Sequence, residues 1–276
     1  MRSARLLEEV EITLMLEGLY KLHGFDFRNY AYAYLRKRIR RLCQREDVAT
    51  VSALQDKVFH DFDCRSRLVE TLTITSTSMF RDPAFFQVLR RDVLPIIQED
   101  ALLRIWQPGC STGQDAFSLA IMLDEEGLYD RCRIYATDLN ISALKRARAG
   151  ILPLSAMKQY TENYVQAGGK RAFSEYYTAN YDGVKFSPAL MKNIVFGHHN
   201  LATDGFFNEF HIVLLRNVLV QFNAQLRERV LHLAHESLYH SGILALGKWD
   251  TLRASGIEKC YKELDEDQKL YRRYCA

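Results

Sequence analysis

Residues 102–123 read LLRIWQPGCSTGQDAFSLAIML. A short apolar run ends at Gly109, a turn of small residues follows, and after Gly113 the apolar residues recur at helical spacing. Glycines between a strand and a helix admit unusual φ values and let bare backbone approach a ligand closely. A second signal, IYATD at 134–138, sets Asp138 at the end of another strand-like run. In open α/β sheets, ligands bind beyond the carboxyl ends of the strands, where the strand order reverses. A carboxylate there accepts hydrogen bonds from both hydroxyls of a ribose. Each element has a plain structural alternative, because glycines follow many strands and an aspartate after a strand is often a helix cap.

The spacing of Gly109 and Gly113 is GxxxG and not GxGxxG, which disfavours a pyrophosphate ligand. Asp115, just inside the helix, suits a cationic amino group. Adenosine with an amino-acid tail, S-adenosylmethionine, fits this set best.

Outward from this stretch, strand-like and helical runs alternate. RIYATD leads to ISALKRARAG, HIVLLR to NAQLRERVLHLAHESLYH, and GILALG follows, the pattern of a mostly parallel sheet wrapped by helices. YKELD and KLYRRY flank Glu266-Asp267 as a closing hairpin. From Ala172 to Asn200 the chain is aromatic and β-branched, with Asp182-Gly183 as a turn signal, so a small antiparallel β-insertion is expected over 172–200. Residues 1–85 read as a helical domain and linker, and 86–276 as the α/β domain. Leu7, Val10 and Leu14 recur at helical spacing, Gly24 ends that helix, and Asp26 or Asn29 is placed to cap the next. Val51–Phe59 and Cys64–Leu72 predict two further short helices.

The net charge of +3 gives no bulk argument for nucleic acid or membrane, and 48% hydrophobic residues suit a globular core. Six cysteines at 43, 64, 110, 132, 260 and 275 form no CxxC pair, which suits a reduced cytosolic chain better than a disulfide scaffold or zinc site. The N-terminus has acidic residues where a signal peptide needs an apolar run, and no segment nears the ~20 apolar residues of a membrane span. A soluble cytoplasmic protein is expected. His198 and His199 point to opposite faces of a strand and suggest no metal.

Five segments in order resemble the CheR-type chemotaxis receptor methyltransferases, S-adenosylmethionine-dependent enzymes that esterify receptor glutamates. FDFRNYAYAYLRKRIRRL resembles the family's N-terminal helical domain, and LTITSTSMFRDPAFF its linker, usually nearer LTxNxTxFFRDP. WQPGCSTGQDAFSLA is similar to WSAGCSTGEEPYSLA, ATDLNISALKRARAGIL to the second-strand acidic motif, and LRNVLVQF to CRNVLIYF. The resemblance implies a Rossmann-like class I methyltransferase domain with a seven-stranded sheet. It also implies that Asp138 binds the ribose, that Asn200 and Leu201 flank the adenine, and that Asp115 lies near the methionine end. Thr77, Arg81, Arg216 and Asn217 match positions lining that end and the substrate channel, and Thr75 takes the place of a cofactor-touching asparagine. It implies too that the basic run Arg36, Lys37, Arg38, Arg40 and Arg41 faces the receptor helix; a solvated helix face is the alternative. In some relatives the β-insertion docks a receptor tail peptide.

The chain departs from the family wording at Thr75, Ser76, Ser78, Met79, Gln114, Asp115, Gln221 and the run GKWD at 247–250. These departures gather at the substrate mouth and leave the acceptor more open than the donor. A glutamate with a reference pKa of about 4.3 is ionised at neutral pH, so its methylation needs positioning and no general base. Arg81 is the first candidate to hold it and Arg216 the second; an anchoring role in the linker is the alternative for each. Gln221 supplies a hydrogen-bond donor where the family has a tyrosine hydroxyl. The turn LRNVLV stands where enzymes that methylate the amino groups of bases often carry N/D-P-P-Y, which disfavours adenine or cytosine N-methylation and weakens, without removing, an RNA acceptor. Two rivals remain: the same fold with another acceptor, and a non-catalytic module that senses the cofactor.

Overall fold

The structure, a computed structural model, describes residues 2–73, 77–97, 101–180, 183–253 and 255–275. The chain divides into two compact units, Met1–Ile74 with Val220–Val230, and Thr75–Leu219 with Leu231–Ala276. The division precedes the expected boundary at 85. Met79, Phe80, Phe85 and Phe86 are buried in the hydrophobic core of the sheet unit, so the linker residues fold with the sheet.

The first unit is built on four helices, α1 (Arg2–His23), α2 (Tyr32–Arg45), α3 (Val51–His60) and α4 (Phe62–Thr73). On α1 the buried set is Ile12, Met15, Leu16 and Leu19, one face of a 3.6-residue period. Leu7, Val10 and Leu14 do lie on the helix they predict, but on its outer side, at 62%, 47% and 58% exposure. Gly24 ends α1 with φ +75°. Neither Asp26 nor Asn29 caps α2, whose preceding residue is Ala31 with no side-chain cap. Asp26 instead accepts from Arg28 Nε and Nη2, both at 2.9 Å, a charge-assisted pair that outcompetes a neutral cap bond. Thr50 caps α3 by accepting from Ala53 N.

The basic run on α2 is largely used within this unit. Arg36 and Arg40 both bond the Glu8 carboxylate, and Arg38 donates to Thr71 O at 2.7 Å while its guanidinium lies 4.3 Å from the Tyr34 ring centre. Lys37 and Arg41, one helical turn apart, are exposed.

The second unit opens with α5 (Pro83–Val88), a π-helical segment Leu89–Val93 and α6 (Leu94–Ile97). Then come β1 (Leu103–Pro108), α7 (Gln114–Glu125), β2 (Cys132–Asp138), α8 (Ile141–Ala149), β3 (Ile151–Leu152) and α9 (Met157–Gln166). They are followed by β4 (Tyr177–Asn180), β5 (Gly183–Phe186), α10 (Pro188–Met191), β6 (Ile194–His198), β7 (Phe210–Leu215), α11 (Ala224–Glu236, which counts with the first unit as far as Val230), β8 (Leu238–Leu246), β9 (Tyr261–Asp265) and β10 (Leu270–Arg273). The seven-stranded sheet has the order β6-β2-β1-β7-β8-β10-β9, parallel except for the closing hairpin. The chain steps from β1 to β2 on one side and later to β7 on the other, so β1 marks the reversal of strand order. Helix α7 is buried from Ala116 to Leu123, which accounts for the apolar run AFSLAIML. Each large side chain fully buried there contributes about 1.5–3 kcal/mol.

The expected insertion is redrawn. A second sheet of order β3-β5-β4 exists, but its third strand comes from Ile151–Leu152, and β6 pairs in parallel with β2 in the large sheet. Ile194–His198 is β-branched and aromatic like the strands before it; only its register with Ile134–Asp138 assigns it to the other sheet. The β4–β5 turn residue Asp182 lies outside the described residues. The expectation of six reduced cysteines is also corrected, since Cys260 and Cys275 are joined in a disulfide. The β9–β10 hairpin brings them together across 15 residues, a separation that carries no motif. No helix among the described residues is long and apolar enough to cross a membrane.

Candidate active site

The crevice lies at the carboxyl end of β1, within the sheet unit. β1 runs into Gly109 at φ +67°, and a Cβ there would stand 2.7 Å from Val218 Cγ2. Gly113 takes φ +89° and opens α7. Between them Ser111, a non-glycine, is held at φ +51°. Phe80, Asp82 and Asn217 are also at positive φ. Non-glycine residues in that region cost energy and gather where a site fixes the backbone.

Asp138 ends β2 at 6% exposure. Its Oδ2 accepts from Ser111 N at 2.8 Å and its Oδ1 from Asn140 N at 2.7 Å. The cap of α8 is Asn140, which accepts from Ala143 N, so the capping alternative for Asp138 is removed. Burial raises the Asp138 pKa, opposed by the backbone hydrogen bonds. Both oxygens keep a second lone pair for a ligand hydroxyl. The next strand end is tied to the same residue, as His199 N donates to Asp138 O at 3.2 Å. Asn200 and Leu201 follow directly, both buried. Asn200 shapes its own turn, accepting from Ala202 N through Oδ1 and donating from its backbone N to Asp204 Oδ2.

At the other end of the crevice, Asp115 sits in the first turn of α7 with 16% of its side chain exposed. Burial raises its pKa, and the nearby cations Arg81 and Arg216 oppose that shift. Arg81 Nη2 stands 3.7 Å from Asp115 Oδ2, close enough for charge attraction and too long for a hydrogen bond. Arg216 donates from Nη2 to Asp82 Oδ2 at 2.6 Å and from Nη1 to Arg81 O at 3.4 Å, and its guanidinium stacks 3.8 Å over Phe85. It therefore anchors the FRDP turn, the structural alternative given for it above. Thr77 is half-buried ahead of that turn, and Thr75 and Ser76 lie outside the described residues.

Gln221 is buried, but in the helical unit, where its Oε1 accepts from Tyr34 OH at 3.0 Å and its backbone O from Ala31 N at 2.8 Å. His198 and His199 belong to no metal-donor cluster among the described residues.

Sequence reasoning missed Gln107, Ser111 and Ser118. Ser118 Oγ accepts from Phe80 N at 2.8 Å and holds the linker turn on α7. Gln107 was signalled only by being polar in an apolar strand. Gln107 Oε1, Ser111 Oγ, Asp115 Oδ1, Arg216 Nε and Asn217 Oδ1 are buried with no hydrogen-bond partner among the described residues. Buried polar atoms without partners are costly unless a ligand satisfies them. The four oxygens supply acceptors for hydroxyl and ammonium groups and Arg216 Nε supplies a donor, so with the Asp138 carboxylate the residues fit the ribose and amino-acid ends of S-adenosylmethionine.

A seven-stranded sheet with its crevice at the strand-order reversal and a buried carboxylate ending the second strand defines an α/β methyltransferase domain that binds S-adenosylmethionine. Residues 75–268 match the family model described as "CheR methyltransferase, SAM binding domain", and residues 11–73 match "CheR methyltransferase, all-alpha domain". The chain belongs to the CheR methyltransferase family and is an S-adenosylmethionine-dependent methyltransferase. It is 42% identical over 265 residues to a protein named "Putative methyltransferase Cher3" of Pseudomonas putida, covering 96% of this chain and 97% of that one. It is 29% identical over 226 residues to a "Chemotaxis protein methyltransferase" of Listeria monocytogenes, covering 81% and 83%. It is also 29% identical over 231 residues to "Chemotaxis protein methyltransferase 1" of Pseudomonas aeruginosa, covering 78% and 80%.

Proposed function

We propose that this methyltransferase transfers its methyl group to glutamate side chains of a chemoreceptor or related signalling protein, forming methyl esters. The observation that carries the reading is the Arg81 guanidinium at the Asp115 end of the crevice, with Nη2 3.7 Å from Asp115 Oδ2. The names of the relatives support the receptor as substrate class.

When bound, S-adenosylmethionine supplies a methyl group on a sulfonium. Asp138 holds the ribose hydroxyls, Asn200 and Leu201 border the adenine, and Asp115 with Asn217 receives the amino-acid end. Gly109 and Gly113 keep the wall clear of side chains. The acceptor is already ionised at neutral pH, so no residue need take a proton. Arg81 orients and desolvates the carboxylate, and Arg216 fixes the turn that carries Arg81 through Asp82 and Phe85. Positioning of this kind supplies up to roughly 7–11 kcal/mol. Lys37 and Arg41, the exposed pair on α2, meet acidic residues of the acceptor protein.

The test is incubation with methyl-labelled S-adenosylmethionine and chemoreceptor signalling fragments. Label released as methanol by mild alkali is the expected result. Alkali-resistant label refutes the ester. Cofactor binding without transfer to any protein of the source organism refutes catalysis on proteins and leaves a sensing module.

A further inference from the structure

Away from the crevice, three donor side chains converge on the far side of the large sheet's antiparallel end. His235 lies at the end of α11, Cys260 in the 3-10 turn before β9, and Cys275 just after β10. One ligand atom of each lies within 4.8 Å of the others, the one such group of three among the described residues. All three are partly accessible. An open groove of about 640 Å³ is lined in part by their neighbours Tyr261, Arg273 and Tyr274.

Hydrogen bonds tie the frame around the three in addition to the sulfur–sulfur bond. Arg273 donates from Nη1 to His235 O at 2.9 Å and to Leu238 O at 2.6 Å, and from Nε to Cys275 O at 3.1 Å. Tyr274 N donates to Cys260 O at 3.0 Å. The Tyr261 hydroxyl lies 3.0 Å from His235 Nδ1 and fixes the ring, the kind of outer partner that orients ligating imidazoles. Three segments distant in sequence are thus tied at the backbone, with their donor atoms aimed at one point.

We propose that in the dithiol state Cys260, Cys275 and His235 form a binding site for a borderline-soft divalent cation of the Zn²⁺ kind. Two thiolates and an imidazole are the donor set that selects such ions over Mg²⁺ or Ca²⁺. Thiolates sharing a tetrahedral zinc stand about 3.8 Å apart, from Zn–S bonds of about 2.3 Å, so the two sulfurs, bonded to each other in the structure, move apart on reduction while a nitrogen of His235 already lies within 4.8 Å of both. A water completes the fourth position. On binding, two S–H bonds break, two S–metal bonds form, and two protons pass to solvent; no electron moves. The disulfide excludes the ion, because both sulfurs are committed to each other. Passage from disulfide to dithiol takes two electrons and two protons from a dithiol reductant, which becomes a disulfide itself. Metal loading therefore follows the redox state of the pair.

The experiment uses the full chain, reduced with a phosphine, exposed to Zn²⁺, freed of unbound metal by gel filtration and assayed for metal content. Co²⁺ in place of Zn²⁺ gives a thiolate charge-transfer absorption. Reduced wild-type protein is expected to retain one metal per chain and to melt at a higher temperature with it. The same protein oxidised by a disulfide reagent is expected to retain none. Cys260→Ser with Cys275→Ser abolishes retention and the charge-transfer band, and His235→Ala weakens retention while keeping the band. Equal retention by oxidised and reduced wild type overturns the proposal without any substitution. No retention by the reduced protein overturns it as well.

Discussion

Replacing Asp138 with alanine removes the buried carboxylate proposed to hold the ribose. Its two oxygens already accept from Ser111 N and Asn140 N, at 2.8 and 2.7 Å, so the carboxylate is fixed before any ligand arrives. At 6% exposure its remaining lone pairs are little screened by solvent. Two charge-assisted hydrogen bonds at about 1.5–3 kcal/mol each give a loss of about 3–6 kcal/mol. At about 1.4 kcal/mol per tenfold, cofactor affinity falls by about 10²- to 10⁴-fold. Asp138→Asn lies near the alanine variant, because the amide NH₂ must replace an acceptor that faces a backbone N–H.

The assay is calorimetric titration with S-adenosylhomocysteine, which binds without reacting, alongside thermal melting to verify that each variant is folded. Acidity provides an independent arm. Burial raises the Asp138 pKa, and ligand hydroxyls favour the charged form, so affinity is full above the raised pKa and falls as pH is lowered through it. That loss starts above the ordinary aspartate value of 3.8. A folded Asp138→Ala variant that binds within about threefold of wild type, a difference of about 0.6 kcal/mol, would refute the reasoning.

Gly109→Ala is expected to destabilise the protein by about 1–2 kcal/mol from the left-handed backbone alone, with the clash against Val218 Cγ2 added; unchanged denaturant unfolding would contradict it. Glu125 is a fully buried carboxylate that burial works against, yet Tyr164 and Arg90 hold its pKa below the usual 4.5. Its stabilisation is present above 4.5 and is lost as pH falls through the lowered pKa. Glu125→Gln therefore costs about 3 kcal/mol at neutral pH, the low end for a broken buried pair because Glu126 still holds Arg90, and it flattens the acid limb of a melting-versus-pH curve. An acid limb as steep as that of wild type would count against the assignment. Arg81→Ala is expected to lower kcat/KM for the acceptor by about 10- to 150-fold through one lost charge-assisted contact. Its cofactor affinity should change far less, and equal losses in both would make Arg81 a cofactor ligand and not an acceptor ligand.

Much of the site is legible in the sequence because its signals are local. The strand, the glycine turn and the amphipathic helix of residues 102–123 are each written in neighbours two to four positions apart, and the structure has them as β1, Gly109–Gly113 and α7. Asp138 was legible by the same logic, as a carboxylate ending a strand. The order of five motifs added the family. What local pattern left undetermined was which partner each side chain takes across the chain. Arg216 reads equally well as a substrate clamp or an anchor until Asp82 and Phe85 are seen against it, 134 and 131 positions away. Arg36 and Arg40 read as a docking surface until Glu8 is seen between them.

The sequence alone thus determined the element types, the α/β class and the methyl donor, because periodicity and turn chemistry depend on near neighbours. Only the tertiary structure decided that Leu7, Val10 and Leu14 face outward, that Ile194–His198 joins the large sheet, and that Gln221 bonds Tyr34 in the helical unit. It also decided that Cys260 meets Cys275 beside His235. Each of these is a pairing between segments far apart in the chain. Which face of an element is buried, and against what, is set by the neighbour that covers it and not by the element's own residues.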